Sequence, residues 1–276
     1  MPAAPAVPLP SSTVILLREE QGADGPFSVL MLERHGSITF PGVHAFPGGV
    51  VDPGDADVTG ALPPGQAWSS PEEGDVPPQA LPLWVAGVRE LFEEVGILLA
   101  TRNGRMLEGP LDADLQRLRA RLHAGEPFGA LLAEAGLVAA TDRLFSFARW
   151  ITPAANPKRF DTRFLVGRLP PGQDVTVDGT ETVSATWYTP ESALAVYEAA
   201  TIQLIPPTVL TLDDLSRFAS VAAVLDDARR RIVRAASPDI VMTEGSEPTM
   251  SYPNNTGAPT GAPRRLVLRA GRWRPA

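Results

Sequence analysis

The chain has 276 residues, a net charge of −8 (24 Lys and Arg against 32 Asp and Glu) and no cysteine. These totals exclude disulfides, thiolate metal sites and a cysteine nucleophile, and they argue against a nucleic-acid binder, which would show a basic face. No stretch approaches the roughly 20 apolar residues of a membrane span, so the expectation is a cytoplasmic protein that engages neither nucleic acid nor membrane. The length suits one large domain over residues 1–276.

Residues 12–18 and 27–34 read as strands, and Gln-Gly-Ala-Asp-Gly-Pro between them reads as the turn of a hairpin. Phe46-Pro47-Gly48-Gly49 follows, and then residues 56–82, which hold six prolines and no basic residue. That composition predicts an irregular surface insertion. A helix is predicted from 83 to 95, because Val85, Val88, Phe92 and Val95 recur at helical spacing and Gly96 suits a left-handed stop. A helical insertion is expected over 108–137, with Leu111, Leu115, Leu118 and Leu122 on one face.

Strands are expected at 143–152, 160–169 and 182–188, with Asp178-Gly179 turning a hairpin between the last two. Helices should fill 190–235, beginning at Pro190. Residues 236–263, rich in Ser, Pro, Thr, Gly and Asn, read as a flexible segment. Residues 264–275 read as a terminal strand docking back on the domain. Strands, an acidic helix, strands and then helices favour an α+β or three-layer architecture over a doubly wound parallel sheet.

The informative segment is Arg89-Glu90-Leu91-Phe92-Glu93-Glu94-Val95-Gly96-Ile97, with three carboxylates in five residues. On a helix Glu90, Glu93 and Glu94 point roughly one way, since positions three and four apart are neighbours. Carboxylates this close repel and raise one another's pKa, a conflict that a divalent cation removes. Oxygen donors without His or Cys favour a hard ion, Mg²⁺ or alternatively Mn²⁺. One glutamate held off the metal can act as general base. Arg89 can pair with a carboxylate and fix its rotamer, and Gly48-Gly49 allows close backbone approach. The bland alternative is a solvated acidic helix face.

The flanking residues decide between these readings. Gly49, the five residues 50–54 and Asp55, then Arg89 through Ile97, resemble the Nudix box cut in two. The second half matches at every specified position. Asp55 stands where the family usually has glutamate, and the 33 residues 56–88 stand where it has seven. The resemblance implies a Nudix α/β/α sandwich with a mixed sheet, an inserted helical segment and extra C-terminal helices. It also implies metal ligation by Glu93, Glu94 and the Gly48 carbonyl. Glu90 is then ligand or general base, with Arg89 as its orienting partner and Asp55 as an additional acid.

A split box with a proline-rich insertion resembles the coenzyme A diphosphatase branch of that family, the mammalian Nudix motif 19-like enzymes. The approach Phe40-Pro41-Gly42-Val43-His44-Ala45-Phe46-Pro47-Gly48-Gly49 and the segment Arg149-Trp150-Ile151-Thr152-Pro153 with Lys158-Arg159-Phe160-Asp161-Thr162-Arg163-Phe164 agree with it. The implied reaction is hydrolysis of CoA or acyl-CoA to 3′,5′-ADP and 4′-phosphopantetheine. Hydrolysis of ADP-ribose, NADH or another nucleoside diphosphate derivative is the alternative, and a non-catalytic nucleotide sensor the second. Arg34, His44, Lys158, Arg159, Asp161 and Arg163 are candidate substrate-binding residues. For each of these, surface charge or a structural anchor is the competing reading. Glu181 is a further candidate acid, His35 is a structural or substrate residue, and His123 is expected on the surface. The oligomeric state is not fixed, and a homodimer is compatible with the sequence.

Overall fold

In the computed structural model, residues 5–20, 26–34, 43–66, 76–177, 182–241, 247–252 and 264–276 are described. Strand β1 (Leu9–Glu19) is the centre of an eight-stranded mixed sheet. It pairs antiparallel with β2 (Phe27–Arg34), the hairpin partner expected from the sequence, and parallel with β9 (Phe160–Arg168). β8 (Phe145–Ile151) lies antiparallel to β9, and β10 (Thr182–Tyr188) lies antiparallel to β2. The order is β10-β2-β1-β9-β8-β11, with β11 (Ala235–Ala236) on one edge. Two short strands, β3 (His44–Ala45) and β4 (Gly48–Val50), join β2 and β1 respectively.

The continuous apolar run Val14 to Leu17 is that of a strand buried on both faces, and period-2 alternation divides it between two cores. Val14 and Leu16 face a cluster with Leu30, Leu32, Trp84, Val88 and Leu165, whereas Ile15 and Leu17 face one with Val29, Met31, Phe164 and Val166. Helix α1 (Leu81–Val95) covers the first face, and α4 (Pro190–Glu198), α5 (Pro206–Leu215) and α6 (Val221–Arg230) cover the second. This is the α+β sandwich with a mixed sheet expected from the sequence. α1 begins two residues earlier than its periodicity predicts, because Pro82 is tolerated in a first turn, and it ends on Gly96 at φ 70°. The insertion forms α2 (Ala113–His123) and α3 (Phe128–Glu134). It is flanked by a small sheet of β5 (Ala100–Arg102), β6 (Arg105–Met106) and β7 (Leu137–Ala139). Among the described residues no helix is long and apolar enough to cross a membrane.

Three expectations need correction. β9 and β10 do not form a hairpin: β10 crosses to the far side of the sheet beside β2, with β1 and β2 lying between them. Asp178 and Gly179 themselves lie outside the described residues. The described part of 56–82 is not a mere surface loop, since Val58, Val76 and Ala80 are buried in the α1-side core. Gln66, fully buried, donates from Nε2 to the carbonyls of Ser146 (2.9 Å) and Ala228 (2.7 Å) and accepts from Ser146 N–H (2.8 Å). Its amide supplies what β8, at Ser146 beyond the reach of the two-residue β11, and helix α6 would otherwise leave unpaired.

The third correction concerns the C-terminus. Within 236–263, expected to be flexible, lie β12 (Asp239–Val241) and β13 (Thr249–Tyr252). They form an antiparallel four-stranded sheet with β14 (Arg264–Arg269) and β15 (Arg272–Pro275), so the terminal strand is a hairpin. Backbone pairing, with Met250 and Leu266 buried, offsets a composition poor in large apolar side chains.

Candidate active site

The site is assembled where α1 crosses β4. Ser12 of β1 pairs with Gly49, and Thr13 pairs with Gly48, which sets the glycine pair under the helix. Ser12 Oγ donates to the Leu83 carbonyl at 2.5 Å and so ties β1 to the first turn of α1. Both glycines are sterically required. A Cβ on Gly48, at φ 154°, would lie 2.3 Å from the Ser12 carbonyl oxygen, and one on Gly49 would lie 2.2 Å from Glu90 Oε1. Glu90 therefore sits directly on the Gly49 backbone, while Gly48 N–H donates to Glu94 Oε2 at 2.9 Å.

Arg89 is the hub of the cluster. Its Nε and Nη2 form a fork to Asp55 Oδ1 (2.9 Å) and Oδ2 (3.1 Å). Nη2 also donates to the Val50 carbonyl (2.9 Å), and Nη1 donates to Glu90 Oε1 (2.7 Å) with Glu93 Oε2 at 3.5 Å. Asp55 is only 1% exposed and closes a capping box with Asp52 in the 3-10 turn Pro53–Asp57, accepting from Asp52 N–H at 2.8 Å. Asp55 thus anchors Arg89 and the loop through both of its oxygens.

Burial pushes the Glu90 carboxyl above its ordinary range. Arg89 opposes the shift, and Glu93 and Asp55 reinforce it. Burial works against the charge on Arg89 as well, but Asp55 and Glu90 outweigh it and raise that guanidinium. Glu93 is on the rim, its side chain 30% exposed, with His123 Nδ1 of α2 at 3.8 Å from Oε1. Sequence reading put His123 on the surface. Its link to Glu93 depends on how the insertion docks, for which the local pattern carries no signal.

The glutamates do not converge on a point. Among the described residues no group of three His, Asp or Glu side chains is gathered to hold a metal ion. Like charges have separated, Glu90 onto Arg89, Glu94 onto Gly48 N–H and Glu93 toward the rim. The donor set nevertheless fits a hard divalent cation. Among the described residues the carboxylates of Asp55, Glu90 and Glu93 surround the Arg89 guanidinium, every candidate ligand is oxygen, and Glu90 is raised by desolvation that a cation would offset.

The other candidates divide by their partners. Lys158 is exposed, with its ammonium 5.3 Å from the Phe160 ring centroid. Arg159 donates to the carbonyls of Thr152 (2.9 Å) and Ala6 (2.8 Å), clipping the N-terminal segment to β9. Asp161 accepts a fork from Arg149 (2.8 and 2.6 Å) across β8 and β9. Arg163 is not at a pocket mouth: it is 2% exposed, donates to Ser146 Oγ (2.9 Å) and lies 5.8 Å from the Trp84 ring centroid. Burial pushes it down to about 9. Strand alternation explains the inward turn, since position 163 shares the α1-facing side of β9 with Leu165. His44 is 8% exposed on β3, edge-on to Tyr188 at 6.5 Å. Arg34 ends β2, with its side chain outside the described set, and Glu181 and His35 lie outside the described residues.

Comparison with known proteins agrees with the geometry. Residues 59–217 match the model of the NUDT19 Nudix domain, a stretch that contains Arg89 to Ile97 and begins after Asp55. Putative nudix hydrolase 7 of Caenorhabditis elegans is 31% identical over 191 residues, covering 68% of this chain and 56% of that protein. The human acyl-coenzyme A diphosphatase NUDT19 is 28% identical over 234 residues, covering 71% and 62%. The chain spans about six-tenths of the length of these curated relatives. The crystal structure of a Nudix hydrolase from Alicyclobacillus acidocaldarius aligns with a TM-score of 0.68 at 25% identity, covering 80% of this chain and 96% of that one.

Proposed function

We propose, from the premise that this chain belongs to the Nudix family through its NUDT19-type domain, that it hydrolyses the diphosphate linkage of a CoA-type substrate. The observation that carries the reading is the cluster of carboxylates Asp55, Glu90 and Glu93 around Arg89, with Glu94 on the Gly48 N–H beside it. A diphosphate ester is itself anionic, so such a site receives it only together with added positive charge. A divalent cation, Mg²⁺ or Mn²⁺, held by Glu93, Glu94 and the Gly48 carbonyl would neutralise the diphosphate and polarise its oxygens.

The protein's own groups divide the remaining work. Water attacks one phosphorus, the bridging P–O bond breaks, and the water's proton passes to a carboxylate. Glu90 suits that role, because burial raises its proton affinity and the missing side chain of Gly49 makes room for its carboxylate. Arg89 holds Glu90 in place through Nη1 while its other donors fasten Asp55 and the Val50 carbonyl. Gly48 N–H orients Glu94.

The choice of a CoA or acyl-CoA substrate, cleaved to 3′,5′-ADP and 4′-phosphopantetheine, is supported by the name of the human relative and by the split box. Incubation with CoA, ADP-ribose and NADH plus Mg²⁺, with products identified by mass, tests it. CoA should be consumed fastest; intact CoA beside consumed ADP-ribose would move the substrate to the alternative class. Absence of turnover with all three, unchanged in Glu90→Gln and Glu94→Gln, would favour a nucleotide sensor.

A further inference from the structure

We propose that Arg119, in the inserted helix α2, is a positioning residue for the catalytic glutamates. The inference rests on the reading that Glu93 and Glu94 work at the site, and it assigns part of the site's geometry to the insertion.

A helix leaves its last four carbonyls without partners inside the helix. In α1, whose last helical bond runs from the cap Gly96 N–H to Phe92, these belong to Glu93, Glu94, Val95 and Gly96, so the last turn carries two of the three box glutamates. The Phe92 carbonyl accepts from Gly96 N–H at 3.0 Å, and the Val95 carbonyl accepts from Thr176 N–H at 2.9 Å. The Glu93 carbonyl accepts two bonds from a single side chain, Arg119 Nε at 3.0 Å and Nη2 at 2.7 Å. Arg119 is only 8% exposed. A buried guanidinium here complements the negative end of the helix, and two donors in one plane fix the direction of the carbonyl they share.

Gly96 makes the clamp sterically feasible. Its φ of 70° is the left-handed stop, and a Cβ there would also come within 3.0 Å of Arg119 Nη1. One turn further along α2, His123 reaches the Glu93 side chain at 3.8 Å. The insertion therefore touches Glu93 at its backbone and its carboxylate. Fixing the Glu93 peptide fixes the start of Glu94, whose carboxylate in turn meets Gly48 N–H. The path runs from Arg119 to the last turn of α1, and from there to both glutamates. Lysine keeps the charge but lacks the planar fork, so it restores only part of the clamp.

The test compares the full chain as wild type, Arg119→Met and Arg119→Lys. Steady-state kcat and KM are measured on whichever diphosphate the wild type cleaves, well below each protein's Tm. Affinity for Mn²⁺ alone is measured by electron paramagnetic resonance. In Arg119→Met, kcat should fall roughly ten- to hundred-fold with KM nearly unchanged, and Mn²⁺ should bind roughly ten-fold more weakly. Arg119→Lys should lie between the two, and it carries the test if the methionine variant does not fold. Wild-type kcat and Mn²⁺ affinity in both variants, with only Tm lowered, would make Arg119 a structural prop and overturn the proposal. If the wild type cleaves no diphosphate, the functional reading fails, and the Mn²⁺ comparison still decides for or against Arg119.

Discussion

Two clusters of charge lie on opposite faces of the main sheet, and among the described residues one pairs its charges evenly while the other does not. On the side of the C-terminal helices, Arg264 pairs with Asp213 and Asp214, and Arg217 with Asp213 at 2.6 Å. Arg231 pairs with Asp227 at 2.7 Å, and its guanidinium lies 3.9 Å from Asp214. Three guanidiniums there meet three carboxylates. Burial raises the Asp214 carboxyl, and the arginines, Arg264 foremost, oppose the shift. Under α1, by contrast, the Arg89 guanidinium serves three carboxylates among the described residues, Asp55, Glu90 and Glu93. The first arrangement cross-links the C-terminal sheet to α5 and α6. Among the described residues the second holds more carboxylates than guanidiniums, and a fold tolerates that where a cation is to be bound.

The largest expected effect lies in the unbalanced cluster. Glu90→Gln should lower turnover by about 10² to 10⁴, the range typical of a lost general base, while the metal-free protein becomes no less stable. The sign follows from linkage. The folded pKa of Glu90 is raised, so its contribution to stability is fullest below the unfolded value and is lost as pH rises through the folded one. Where it is ionised, the carboxylate is therefore disfavoured by its burial, and glutamine removes that cost. Activity and calorimetry on the same variant check both halves, and a lower Tm together with lower activity would contradict the linkage.

Gly49→Ala should come next, with turnover down roughly 10²-fold, because its methyl would lie 2.2 Å from Glu90 Oε1 and must displace that carboxylate. Equal activity in the alanine variant would show that the seat of Glu90 on the glycine does not matter.

The balanced cluster should respond in the opposite way. Arg264→Met leaves Asp213 and Asp214 short of a partner and should cost about 3 kcal/mol of stability, with kcat of the folded protein unchanged. Urea unfolding alongside turnover measures the two separately, and a fall in kcat would join the two faces functionally. The smallest effect should be that of Gln66→Ala, about 1 to 3 kcal/mol with turnover retained, since its amide serves Ser146 and Ala228 rather than the site.

Much of this division was legible in the sequence, but unevenly. The apolar run Val14 to Leu17, the periodicity of α1 and the glutamate spacing are local patterns, and the structure follows them. The place of β10 beside β2 was not legible, because alternation identifies a strand but not its neighbour, and a two-residue turn signal favours the nearest partner. The parallel pairing of Leu9 with Phe160 spans too much chain for any local signal. The role of Gln66 was hidden because one amide within a proline-rich stretch has no pattern. Arg163 shows the converse error: a basic residue near a site reads as a ligand contact until strand parity turns it inward. Asp55, which stands where the family usually has glutamate, pairs with Arg89 from a 3-10 turn that the sequence does not announce.

The central claim is that the carboxylates under α1 answer to a divalent cation, and thermal unfolding with and without Mg²⁺ tests it most directly. A ligand that binds only the folded state stabilises it by about 2.7 kcal/mol at one hundred times its Kd. Mg²⁺ should raise the Tm of the wild type and of Arg264→Met by the same amount, and should leave Glu93→Gln/Glu94→Gln unmoved. A wild-type Tm indifferent to Mg²⁺, or an equal rise in the double variant, would contradict the account.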